Sequence, residues 1–177
     1  MNGRRRAHMR VLVTSASRHH STREIATAIA AGLIDRGVGA VAIPAEDLTT
    51  LDGFDAVVLG SAVYMGRWLS EARRLAQIHT SALCRMPVWL FSSGPVGPVD
   101  HLIPPGTPAD VPVLMRLTGA IGHRTFPGRL DMSRLQYAER AVVRTIHAPG
   151  GDSRDWDAVD RFAGEIADEL LGAPVPG

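Results

Sequence analysis

The sequence has no lysine: all 19 basic residues are arginine, set against 18 acidic ones for a formal net charge of +1. So even a balance offers neither the basic surplus of a nucleic-acid binder nor the acidic surplus of a strongly charged shuttle protein. Without Arg4, Arg5 and Arg6 of the N-terminal stretch the balance is −2. Cysteine is almost absent, and Cys84 alone can neither close an internal disulfide nor supply a zinc cluster, which fits a reducing cytoplasm. Long apolar runs are missing too. Those at 11–13 and 56–60 fall far short of the roughly 18 residues of a membrane span, and no stretch of signal-peptide length follows the first arginines.

What is present is a soluble, core-forming composition: 177 residues, 45% hydrophobic and 21% charged. Residues 9–172 read as a single domain, with a flexible basic arm at 1–8 and a flexible tail at 173–177. Short β-branched runs alternate with helical periods. Strands are expected at 10–14, 40–44, 56–61, 87–92 and 123–131, the first apolar on both faces as in a parallel sheet. Helices are expected at 22–36, stopped by Gly37, and at 67–83, 110–121, 133–147 and 155–171. The last carries Trp156, Val159, Phe162, Ala163, Ile166 and Leu170 on one stripe. The fold class is therefore α/β, a doubly wound five-stranded parallel sheet with helices on both faces.

In such a sheet a ligand binds beyond the carboxyl ends of the strands, where the strand order reverses. The loop after the first strand offers Ser17, Arg18, His19, His20, Ser21 and Thr22 and leads straight into a helix, whose unpaired amides and dipole favour a phosphate. Ser21 and Glu24 also have the spacing of a capping box, which would make Ser21 a cap and nothing more. The loop after the third strand holds Ala62, Val63, Tyr64, Met65 and Gly66, with Trp68 just beyond. Only 5% of the chain is aromatic, so Tyr64 is the candidate for stacking on a flat ligand, and Trp68 reads as core. After the fourth strand, Ser92, Ser93, Gly94 and Gly97 are small enough to bring backbone amides to a ring's polar edge; a proline-rich surface turn is the alternative. His19 and His20 match no zinc spacing, so no metal is expected, and Cys84 reads as a buried small residue. No catalytic acid or base stands out.

Four segments in register resemble one family. They are 16–26 across the first loop and helix, 60–68 after the third strand, Arg124-Thr125-Phe126-Pro127-Gly128-Arg129-Leu130-Asp131, and Gly151-Asp152-Ser153-Arg154-Asp155-Trp156. Together they resemble the flavodoxin-like proteins, and within them the flavodoxin-type, menaquinone-linked protoporphyrinogen oxidases. The resemblance implies strand order 2-1-3-4-5 and FMN, its phosphate in the first loop and its ring between the other two. It also implies a porphyrinogen-like substrate and a quinone or similar acceptor. One position departs from the pattern, because His20 stands where the family usually has glycine. A left-handed turn there costs histidine about 1–2 kcal/mol, on the order of tenfold in affinity, part of which a protonated imidazole beside phosphate would offset.

The leading expectation is an FMN-dependent oxidoreductase of the protoporphyrinogen-oxidase type. An electron-carrier flavodoxin is the second reading, set back by the lack of a strongly negative face. A flavin-free flavodoxin-like binding module is the third, motivated by His20. Residues 133–147, with Arg134, Arg140, Arg144 and His147 beside Leu135, Val142, Val143 and Ile146, read either as a solvated helix or as a peripheral contact at the inner face of a membrane.

Overall fold

A computed structural model describes residues 9–94, 107–130, 151–152 and 154–172. Five parallel strands form the sheet: β1 (Arg10–Ala16), β2 (Gly39–Pro44), β3 (Ala56–Tyr64), β5 (Val88–Gly94) and β6 (Gly122–Pro127), ordered β2-β1-β3-β5-β6. Taken in chain order, these five run 2-1-3-4-5, as the resemblance implies. A two-residue strand, β4 (Arg67–Trp68), folds back antiparallel on β3, and β7 (Arg129–Leu130) pairs with β8 (Gly151–Asp152).

Side-chain alternation along the strands builds two cores. Val11 and Val13 pack under α1 (Ser21–Asp35) and α5 (Trp156–Gly172), with Ile25, Ile29, Leu33, Phe162 and Ile166. Leu12, on the opposite face, joins Val57, Leu59 and Leu90 beneath α2 (Ser70–Ile78), α3 (Thr80–Leu83) and α4 (Val111–Thr118). The period-two rule for strands decides which residue goes to which core. Gly60 is a necessary gap, because a Cβ there would run into the Phe91 ring on the neighbouring strand.

Several expected elements differ in detail. The helix expected over 67–83 begins only at Ser70 and is interrupted at His79. Trp68 is instead paired with Val63, and the Leu69 amide donates to Ser61 Oγ at 2.9 Å, so tertiary bonds override helical periodicity at its start. At its end the Thr80 hydroxyl donates to the Ala76 and Gln77 carbonyls, at 2.9 and 3.0 Å. The strand expected over 123–131 stops at Pro127, where the Gly128 amide turns to the Gly94 carbonyl. Trp156 leaves the buried stripe of α5: it is 43% exposed, with the Arg154 guanidinium 4.6 Å above its ring. Cys84 is exposed rather than buried, because it lies past the end of α3, where its thiol donates to the Leu117 carbonyl at 3.3 Å. The helix expected at 133–147 lies outside the described residues. Among the described residues no helix is long and apolar enough to cross a membrane.

Candidate functional site

Three loops leave the carboxyl edge of the sheet side by side. The first runs from Ser17 to His20 and enters α1. His20 is the N-cap and sits in the left-handed region, at φ 64° and ψ −14°. Its carbonyl accepts the first helical bond, from the Glu24 amide at 3.0 Å. Ser21 is thereby the first helical residue, not the cap, and the His20 side chain makes no capping bond. The capping box fails for that reason, and the Glu24 carboxylate pairs with Arg154, whose side chain is only 6% exposed. Ser21 and Thr22 are buried in the first turn, where backbone amides have no acceptor within the helix. Arg18 and His20 are exposed and His19 is half-buried, so the loop is rimmed by cationic or ionisable groups.

The second loop is a hairpin turn. β3 runs three residues beyond its expected end, and Tyr64 pairs with Arg67 across Met65 and Gly66. Both central residues have positive φ, 52° and 73°, the pattern of a two-residue turn between twisted strands. Tyr64 and Met65 are exposed, while Ala62, Val63 and Gly66 are half-buried. The Arg18 guanidinium carbon lies 5.0 Å from the centre of the Tyr64 ring and so joins the first loop to the second.

The third loop begins at the end of β5. Ser92 and Ser93 are buried and Gly94 is half-buried, whereas Gly97 lies outside the described residues. The Ser92 hydroxyl is occupied within the protein: it accepts from the Trp68 indole Nε1 at 2.7 Å and meets His123 Nε2 at 2.8 Å. Burial pushes the His123 pKa down from 6.5 to about 4, so the ring is neutral at pH 7. Trp68 is core, as its sequence context suggests.

Two residues linked to these loops escape sequence reasoning. Asp110 is buried, and its carboxylate accepts from Arg67 Nε at 3.0 Å and from the Trp68 amide at 3.1 Å. His123 closes the Ser92 chain from β6. Asp110 stands 42 residues from Trp68, and no local pattern announces a partner so distant.

An FMN-sized ligand can be tested against these residues. The first turn of α1 supplies amides, buried hydroxyls and flanking cations suited to a phosphate. Thr14, near the carboxyl end of β1, has a buried hydroxyl with no hydrogen-bond partner. Tyr64 supplies an exposed aromatic face for a flat ring. The residues present fit the group.

Strand order, crossover helices and the ligand edge define a doubly wound α/β protein of the flavodoxin type. A flavodoxin-domain profile matches residues 12–157, and the chain belongs to that family. It is similar to the protoporphyrinogen IX dehydrogenase [quinone] of Escherichia coli strain K12, 25% identical over 172 residues that span 90% of this chain and 95% of that one. Among solved structures it is similar to a flavodoxin from the domain Archaea, with TM-score 0.63, 15% identity, and coverage of 92% of this chain and 99% of that one. Oxidised flavodoxin 1 from Bacillus cereus is similar at TM-score 0.60 and 14% identity, covering 93% and 99%. At such identity these structures establish the fold.

Proposed function

We propose that this protein is an FMN-dependent oxidoreductase that takes electrons from a porphyrinogen-like substrate and passes them to a quinone or similar acceptor. One observation carries the flavin assignment. The non-glycine residues with positive φ among the described ones are His20 and Met65, and they fall in the two loops assigned to phosphate and ring. Left-handed backbone at bulky side chains costs free energy and persists where the surroundings or the function require it. The full-length likeness to a quinone-linked protoporphyrinogen dehydrogenase supports the choice of substrate and acceptor class.

In this reading Ser17, Arg18, His19, His20, Ser21 and Thr22 bind the phosphate through amides, hydroxyls and positive charge. Tyr64 stacks on the ring, with Ala62, Val63, Met65 and Gly66 shaping that wall. Arg18 stands over Tyr64 in a contact worth about 0.5–1 kcal/mol at an exposed site, weak enough for an aromatic ligand to replace. Ser92, Ser93 and Gly94 face the polar edge with backbone groups, the Ser92 hydroxyl being already engaged, and Gly97 is assigned to that edge from the sequence alone. Bound FMN supplies the redox chemistry, and the chain binds, orients and shields it.

Residues 9–172 act as one domain in this reading, at work in the cytoplasm or against the inner face of a membrane. The test is a visible absorption spectrum before and after FMN addition, then anaerobic mixing with protoporphyrinogen and a menaquinone analogue. A flavin spectrum with many turnovers per protein is expected. A protein that stays colourless contradicts the flavin assignment, and a flavin that is reduced once without turnover points to a carrier.

A further inference from the structure

One buried carboxylate ties the candidate ring-stacking hairpin to the segment that enters α4. Asp110 Oδ1 accepts from Arg67 Nε at 3.0 Å and Oδ2 from the Trp68 amide at 3.1 Å, while Arg73 Nε lies 3.6 Å from Oδ2. Beside it, the Ala109 amide donates to the Gly66 carbonyl at 3.1 Å, so the turn is gripped at Gly66, Arg67 and Trp68. Asp110 occupies the N-cap of α4, yet its side chain makes no capping bond there. The carboxylate is directed to the hairpin instead of to its own helix. From Trp68 the contacts continue through the indole to Ser92 and on to His123, linking β4, β5 and β6 in one polar chain.

The turn that this chain holds is the one with Met65 at φ 52°. A left-handed methionine favours relaxation to another turn unless its flanks are fixed. Charge-assisted bonds to a buried carboxylate are of the stronger kind and are suited to fixing them. We propose that Asp110 is a positioning residue for the flavin ring: it sets the Tyr64–Gly66 turn so that Tyr64 stands ready to stack. The proposal rests on the FMN reading above and goes beyond it, giving Asp110 a role that acts through the turn.

The experiment titrates FMN into the wild type, Asp110→Asn and Asp110→Ala, each with and without Tyr64→Ala, and reads both affinity and the emission of the bound flavin. Stacking on tyrosine quenches flavin, so a misplaced turn brightens it. Asp110→Ala is expected to weaken FMN about tenfold and to brighten the bound flavin toward the level of Tyr64→Ala. Asp110→Asn, which keeps an acceptor for the Trp68 amide, should fall between. In the Tyr64→Ala background Asp110→Ala should leave emission unchanged. Should Asp110→Ala fail to fold, Asp110→Asn decides by the same emission: a brighter bound flavin supports the assignment. Asp110 variants that melt earlier but bind flavin with wild-type emission make the carboxylate merely structural and overturn the proposal alone. A wild type that binds no FMN overturns the flavin reading, and the proposal with it.

Discussion

The two left-handed turns at the carboxyl edge sit in different surroundings. Met65 lies between paired strands, and its neighbours are gripped by Asp110 and Ala109. His20 stands at the mouth of a helix with an exposed side chain and no side-chain cap, its carbonyl taking one bond from Glu24. A left-handed residue costs about 1–2 kcal/mol in either place. At the hairpin, bonds within the protein offset that cost. At the first loop, the opening turn of α1 has backbone amides with no acceptor within the helix, the arrangement expected where a bound anion completes the turn. On the FMN reading, the hairpin is a preformed wall and the first loop a turn that the phosphate completes.

Removing the hairpin's brace breaks the comparison most sharply. Asp110→Ala leaves the buried Trp68 amide without its acceptor and should destabilise the protein by about 2–3 kcal/mol, read from denaturant unfolding. The far end of the same chain gives the next effect, through pH. His123 has a folded pKa of about 4 against an ordinary 6.5, so the unfolded chain takes up the proton first as pH falls. Its contribution is complete above about pH 6.5, is lost progressively between 6.5 and 4, and is flat below that. Partial exposure holds this to about 1–2 kcal/mol. Melting curves of the wild type and His123→Gln should converge over that window, and parallel curves would contradict the assignment. Smallest is relief of strain at the hairpin. Met65→Gly should stabilise by about 0.5–1 kcal/mol, the gain in φ exceeding the loss of chain stiffness, and a lower melting point would show that Met65 is not strained.

The strands and the helical stripes were legible in the sequence because they depend on short-range periodicity, and the strand order through the family resemblance. Val11 and Val13 alternate with Leu12, and the helical stripe of α1 is carried by Ile25, Ile29 and Leu33. The left-handed turn at His20 was legible too, through its place in the family pattern. The hairpin was not. Residues 67–83 carry a helical period, and what makes Trp68 a strand residue is a carboxylate 42 positions away. The capping box at Ser21 and Glu24 misled for a related reason. The cap falls one residue earlier, at His20, and Glu24 is drawn to Arg154, 130 residues on. Trp156 and Cys84 were misplaced because type and spacing indicate that a residue can be buried, not that a neighbour exists to bury it.

The phosphate grip of the first loop is the claim on which the functional account stands, and side-by-side titration of FMN and riboflavin into the wild type and His20→Gly tests it most directly. The account predicts that FMN binds far more tightly than riboflavin, and that His20→Gly tightens FMN about tenfold while leaving riboflavin unchanged. Equal affinity for the two flavins, or an FMN affinity that His20→Gly leaves unimproved, would contradict it.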